Sequence, residues 1–247
     1  MKRVIDFIGA LIGLIILTPI LLPVIFAIWI QDWHSPFYIA PRVGKGGQVF
    51  KMIKLRSMIS NADNTGVDST SLNDTRITPV GAFIRKYKLD ELTQLLNVLI
   101  GDMSLVGPRP NVKRETDLYT AEEKKLLSVR PGITDFSSIV FSDEGEILKD
   151  YDDPDISYNQ LIRPHKSRLG IFYTKTISVI TDLKIIFITG LAILSRDRAL
   201  VQITKLLDKL GADKNLIEIA SRKNNLIPTP PPGATKIVTN REGRIDN

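Results

Sequence analysis

The sequence predicts a helix-dominated α/β domain with few short strands, fixed to a membrane by an N-terminal apolar helix. Three observations carry this: a run from Val4 to Ile30 that is almost free of charge, one extended hairpin pattern after it, and apolar residues at helical spacing further on. At 247 residues the chain is long enough for one domain with a real core and an appendage.

The apolar run contains one charge, Asp6, near its entrance. As a single helix it would reach about 40 Å, against a hydrocarbon core of about 30 Å. It is too long for the apolar region of a signal peptide, and no small-x-small cleavage pattern follows it before Gln31 and Asp32. Thr18-Pro19 and Pro23 lie inside it, and a proline removes one helical hydrogen bond. Lys2 and Arg3 precede the run, while Arg42, Lys45, Lys51, Lys54 and Arg56 follow it, so both flanks carry the charge of cytoplasmic segments. A kinked span fits these facts, and so does a hairpin broken at Thr18-Pro19 that enters and leaves by one face.

Phe37 to Leu55 reads as two extended pieces around a glycine-rich turn, Arg42 to Gly47. The turn lacks the GxxxxGK[ST] spacing of a phosphate-binding loop. Asn61 to Thr78 is polar and reads as a surface loop. From Phe83 to Ile100, Leu92, Leu95, Leu96 and Leu99 share one helical face, with Asp90 and Glu91 at its start. Gly101-Asp102 ends that helix, and Gly107-Pro108-Arg109-Pro110 forms a stiff loop. A helical stretch from Ala121 to Val129 leads to a second stiff loop, Arg130-Pro131-Gly132. Lys166 to Ser195 reads as a core helix or one lying on a membrane surface, and Arg198 to about Lys223 as an amphipathic helix. The polar end beyond Pro228 reads as disordered.

Composition bounds the chemistry. The formal charge of +6 suits nucleic acid, an anionic bilayer or phosphorylated small molecules. The absence of cysteine excludes thiolate metal sites and cysteine nucleophiles, and two histidines, His34 and His165, are too few for a histidine metal cluster. A metal would need oxygen ligands.

Adjacent carboxylates at a helix start have a structural explanation, because Asp caps helices and Glu suits their first turn. Arg85, Lys86 and Lys88 just before the pair, and Arg109 after it, favour phosphoryl chemistry instead. There a metal bridges carboxylate and phosphate oxygens while guanidinium groups neutralise developing charge. Neighbouring positive charge should also keep Asp90 ionised. The cluster Asp152-Asp153-Pro154-Asp155 is better read as a solvated acidic loop than as a metal site.

Lys54-Leu-Arg56-Ser-Met58, LDELTQLLNVLIGDMSLVGPRP (89–110) and VRPGIT (129–134) closely resemble the bacterial sugar transferases, the monotopic phosphoglycosyl transferases acting on polyprenyl phosphate. The resemblance covers about Lys2 to Leu194. It implies a re-entrant membrane helix hairpin broken at Thr18-Pro19 (residues 1–31), a catalytic domain (32–198) and a partly disordered C-terminal extension (199–247). It implies that Asp90 attacks the sugar-linked phosphate of a UDP-sugar, releases UMP and passes the phosphosugar to undecaprenyl phosphate as a first step of bacterial glycan assembly. Magnesium (Mg2+) would be the cofactor, with Glu91 its main protein ligand and Asp90 beside it. Arg109 would clamp phosphate, and Lys54, Arg56, Arg85 and Arg130 would bind either substrate.

The implied partners are the UDP-sugar, undecaprenyl phosphate and the lipid bilayer, with a homodimer left open. The implied location is the inner, cytoplasmic membrane, with the catalytic domain facing the cytoplasm. Many members continue PGITGW, whereas here Thr134 is followed by DFSSIVFSDEGEIL, and Gly170 stands where aspartate is frequent, so the sugar stays unassigned. Two other classes compete: a non-catalytic membrane-tethered scaffold, and a nucleic-acid binder. An aromatic content of 7% and the lack of a recognised binding motif argue against the second, so no nucleic acid is expected.

Overall fold

The structure, a computed structural model of the full chain, describes residues 1–60, 62 and 74–240. Most of the polar segment predicted as a loop from Asn61 to Thr78 therefore lies outside the described residues, as do residues 241–247 of the polar end.

Helix α1 (Lys2–Asp32) runs through Thr18, Pro19 and Pro23 without a break in its helical assignment, which corrects the break expected at Thr18-Pro19. The two prolines leave gaps in the backbone ladder, and Thr18 Oγ1 donates to Leu14 O at 2.7 Å. Strands β1 (Phe37–Val43) and β2 (Val49–Leu55) form the expected antiparallel hairpin, with Val43 opposite Val49. Helices α2 (Pro79–Lys86) and α3 (Gln94–Ile100) replace the single helix expected from Phe83 to Ile100. The interruption is Lys88, whose φ of 53° is left-handed and incompatible with an unbroken helix.

Two three-residue strands, β3 (Ser104–Val106) and β4 (Gly132–Thr134), pair in parallel directly beside the two proline-stiffened loops. Gly107 and Gly132 make the crossing possible, since a Cβ on Gly132 would stand 2.0 Å from the Gly107 nitrogen. Short helices α4 (Lys113–Asp117), α5 (Phe136–Val140), α6 (Glu144–Leu148) and α7 (Pro154–Ser157) follow, and the helical stretch expected from Ala121 to Val129 takes the form of 3-10 turns at Glu123–Ser128. A π-turn (Tyr158–Ile162) joins α7 to α8 (Arg163–Lys175). The segment read as one helix to Ser195 breaks after Thr176, and Ser178 caps the new helix α9 (Val179–Leu194) by accepting from Thr181 N at 3.1 Å.

Helices α10 (Arg196–Lys209) and α11 (Lys214–Ser221) pack into the main core rather than standing apart from it. Ala199, Ile203 and Leu207 from α10 lie there with Phe136, Leu169, Tyr173 and Ile185. Gly170 also has a packing role, because a Cβ there would meet Leu126 at 2.6 Å where α8 crosses the 3-10 turns.

Two smaller cores hold α1 to the body: Ala10 with Met52, Leu95, Val98 and Met103, then Leu21 and Ile28 with Leu55 and Ile84. Spaced at 10, 21 and 28, with Leu14 and Leu17 partly buried between, these residues form one stripe along the helix. Polar contacts fix both ends. Near the start, Lys2 Nζ donates to Asp182 at 2.5 Å, and Asp6 accepts from Ser104 Oγ at 2.9 Å and from Leu105 N at 3.1 Å. At the other end Asp32 accepts two bonds of 2.5 Å from Arg56. The remaining face, including Ile8, Leu11, Ile15, Ile16, Leu22 and Phe26, is exposed.

Candidate active site

Asp90 and Glu91 sit on one 3-10 turn, Leu89–Glu91, between α2 and α3. Neither is the residue that opens α3. That position is Thr93, whose hydroxyl donates to Ile53 O at 3.2 Å rather than accepting from the helix. The carboxylates are thus free of the capping duty that the sequence also allowed.

The turn is fixed against the hairpin by α3. Buried Asn97 accepts from Ile53 N at 2.9 Å through Oδ1 and donates to Lys51 O at 2.7 Å through Nδ2, standing in for a third strand on β2. Lys54, two positions from Met52 and on the same face of β2, is thereby brought to the dyad. Its Nζ stands 3.5 Å from Glu91 Oε1 and 3.9 Å from Asp90 Oδ2. Arg109, held between Pro108 and Pro110, reaches back to donate to Glu91 Oε1. Two neighbours explain how: the β3–β4 pairing holds the entrance of the turn at Gly107 and Pro108, and Val43 N donates to Asn111 O at 2.9 Å at its exit.

The two carboxylates are driven in opposite directions. Burial pushes Asp90 up, with Glu91 adding to the rise and Lys54, Arg85 and Arg109 opposing it. The expectation that positive charge would dominate at Asp90 is corrected here: desolvation is the larger effect. For Glu91 burial also pushes up, but Arg109 and Lys54 together outweigh it and hold the carboxyl far below its ordinary range. Burial and Arg109 lower Lys54, partly offset by Glu91 and Asp90.

Glu91 borders a cavity of about 1620 Å³ whose wall also includes Lys54, Arg85 and Arg109, and Asp90 adjoins it through Lys54. Two predicted site residues lie elsewhere. Arg56 is buried and engaged by Asp32 and by Ser35 O at 2.8 Å, so it fastens the end of α1. Arg130 donates to Gly101 O at 2.9 Å, closing the end of α3. Asp153 of the acidic cluster caps α7, accepting from Asp155 N at 3.1 Å and Ile156 N at 3.2 Å.

The cavity also presents residues that sequence reasoning passed over: Arg42, Tyr158 and Lys166. Arg42 could have been found from strand alternation, since it shares a face with Ala40 and Tyr38, and Tyr38 pairs with Lys54. Tyr158 and Lys166 had no local signal.

Among the described residues no group of three or more His, Cys, Asp or Glu side chains could hold a metal. A magnesium ion that keeps several waters and shares substrate phosphates needs only one or two carboxylates, and the donor set Asp90 and Glu91 fits that demand.

A family model for bacterial sugar transferases matches residues 1–196. The UDP-glucose:undecaprenyl-phosphate glucose-1-phosphate transferase of Caulobacter vibrioides is 34% identical over 203 residues, covering 80% of this chain and 71% of that one. A UDP-N-acetylgalactosamine-undecaprenyl-phosphate N-acetylgalactosaminephosphotransferase of Aeromonas hydrophila is 34% identical over 197 residues, or 78% of this chain and 44% of the relative. An uncharacterized sugar transferase of Haemophilus influenzae is 34% identical over 214 residues, with 81% of this chain and 42% of the relative covered. This chain therefore spans less than half the length of the last two.

Proposed function

This chain belongs to the bacterial sugar transferase family, and from that premise we propose that it moves a sugar-1-phosphate from a UDP-sugar to undecaprenyl phosphate, releasing UMP. The observation that carries the reading is the convergence of Asp90, Glu91, Lys54 and Arg109, the last three of them on the wall of one large cavity. Typical small-ligand cavities are about 300–1,000 Å³, so this one has room for a nucleotide diphosphate and the head of a second substrate.

In the first step a carboxylate oxygen of Asp90 attacks the sugar-linked phosphorus. The bond from that phosphorus to the bridging oxygen breaks, UMP departs with that oxygen, and the phosphosugar remains on Asp90 as an acyl phosphate. In the second step a phosphate oxygen of the polyprenyl lipid attacks the same phosphorus. The aspartyl bond breaks, and Asp90 regains its carboxylate. Burial suits Asp90 to this, since a poorly solvated carboxylate is a stronger nucleophile than an exposed one. Arg109 and Lys54 place positive charge where the diphosphate must lie, and by holding Glu91 ionised they keep it available as a ligand. Glu91, with Asp90 beside it, would hold magnesium, which when bound neutralises charge on the diphosphate and on departing UMP.

The chain would work as a monotopic protein on the cytoplasmic face of the inner membrane. α1 is about 46 Å long if straight, yet Lys2 at one end and Asp32 at the other are both tied to the same body. A perpendicular span would carry one end across the bilayer, away from that body. A shallow path that enters and leaves by one face keeps both ends on one side and leaves the exposed apolar face in lipid.

The test is UMP release by the full chain given magnesium, undecaprenyl phosphate and a panel of UDP-sugars. UMP from one donor, absent in Asp90→Asn, supports the reading. UMP from no donor, under conditions where a Caulobacter-type relative turns over, removes it.

A further inference from the structure

The family match ends at residue 196, yet the chain beyond α11 stays on the body as a strap. Thr120 Oγ1 donates to Pro232 O at 2.5 Å, Arg168 Nη2 to Pro230 O at 2.9 Å, and the Val238 side chain is fully buried. Residues 228–232 read Pro-Thr-Pro-Pro-Pro, a stiff stretch that loses little conformational freedom when it docks.

What the strap grips is the π-turn. Pro164, in the first turn of α8, has no N–H, so Gln160 C=O lacks the donor that an α-helix would supply four residues on. Thr229 N supplies a donor instead, at 3.0 Å from Gln160 O. The Gln160 side chain completes the clasp by donating through Nε2 to Val238 O at 2.7 Å. π-turns inside helices are often found at functional sites. This one puts Tyr158 and Asn159 on the cavity wall, with Lys166 Nζ 5.4 Å from the Tyr158 ring centre and Asn159 Oδ1 accepting from Arg163 at 3.1 Å.

We propose that the C-terminal strap is a positioning element of the site: its Thr229 N–H fixes the π-turn that presents Tyr158 and Asn159 to the bound nucleoside-diphosphate sugar. The inference rests on the transferase reading above and assigns donor binding and selectivity, not the chemical steps, to this wall. Thr229 acts through Gln160 and touches no substrate.

The test uses the full chain in the UMP-release assay. Thr229→Pro removes the N–H, together with the hydroxyl that donates to Ile227 O at 2.8 Å, within a run already rich in proline, and Thr229→Ala removes that hydroxyl while keeping the N–H. The strap account expects Thr229→Pro to raise the donor KM by roughly 3- to 10-fold, the size of one lost hydrogen bond, with kcat changed less than about 2-fold. It also expects the ranking of UDP-sugars to flatten, and Thr229→Ala to restore both. Val238→Ser loosens the other end and should act in the same direction, which keeps the test decisive if Thr229→Pro does not fold. Wild-type donor KM and ranking in the strap variants, whether or not their melting temperature falls, would overturn the strap account alone. Absence of UMP release by the wild-type chain would overturn the transferase reading and this inference with it.

Discussion

At the scale of single residues, the site depends on two neighbouring carboxylates being unlike. Asp90 is raised by burial and Glu91 is lowered by Arg109 and Lys54, so as pH falls Asp90 is protonated first. The acid limb of kcat/KM should therefore report Asp90 and lie above the ordinary aspartate value of about 3.9. Lys54 pulls Asp90 down, so Lys54→Met should move that limb to higher pH; a limb that stays in place would show that another group titrates. The same shift has a stability consequence. A folded pKa raised above the unfolded one means that ionised Asp90 opposes folding at neutral pH, and a neutral isostere removes that opposition. Asp90→Asn should raise the melting temperature by roughly 1–4 °C while abolishing turnover, as calorimetry beside the UMP assay would reveal. The dyad and Arg109 were legible in the sequence because their signals are local: adjacent acids, flanking basic residues and prolines on both sides. The pairing of Arg56 with Asp32 was not legible, because Asp32 lies on the preceding helix and no pattern around Arg56 announces it.

At the scale of elements, the site is assembled by small devices that bring distant segments together. Lys88 stops α2 and starts the turn bearing the dyad, Asn97 stitches α3 to β2, and the Gly107–Gly132 crossing aims the Arg109 loop. Gly132→Ala should lower kcat/KM by at least about 10-fold, because its Cβ cannot fit against Gly107 without moving that loop. Wild-type kinetics in this variant would show that the crossing does not aim Arg109. Asn97→Leu leaves the Ile53 N–H and Lys51 C=O without their partner and should destabilise the fold by roughly 1–3 kcal/mol in denaturant titration. The hairpin and the apolar face of α3 were readable from periodicity. The β3–β4 pair was not, since three-residue strands carry no usable alternation and their pairing joins segments far apart in sequence. The left-handed backbone at Lys88 likewise had no signal, because a left-handed lysine follows from tertiary packing and not from its own preference.

At the scale of the whole molecule, the apolar N-terminal helix is also a structural member. Its buried stripe closes two of the three cores, and its ends are clamped by Lys2–Asp182 and Asp32–Arg56. The length of the run was plain in the sequence, but the contacts that decide its path were not, because they lie on residues far along the chain. With no native cysteine, single cysteines at Arg3 and at His34 give a clean topology test. Both should react with a membrane-impermeant thiol reagent only from the cytoplasmic side. Labelling of one site from each side would instead establish a span. Docking of the C-terminal segment was equally hidden, since a proline-rich polar stretch reads as unstructured until Thr229, Val238 and their partners are seen together.

The most direct measurement of the central claim is intact and peptide mass spectrometry of the chain incubated with its UDP-sugar donor and magnesium but no lipid acceptor. A mass gain equal to one phosphosugar, mapped to Asp90, lost in Asp90→Asn and discharged when undecaprenyl phosphate is added, is the predicted result. Turnover to the lipid product with no adduct on rapid quenching, or an adduct on another residue, would contradict Asp90 as the nucleophile of a two-step exchange.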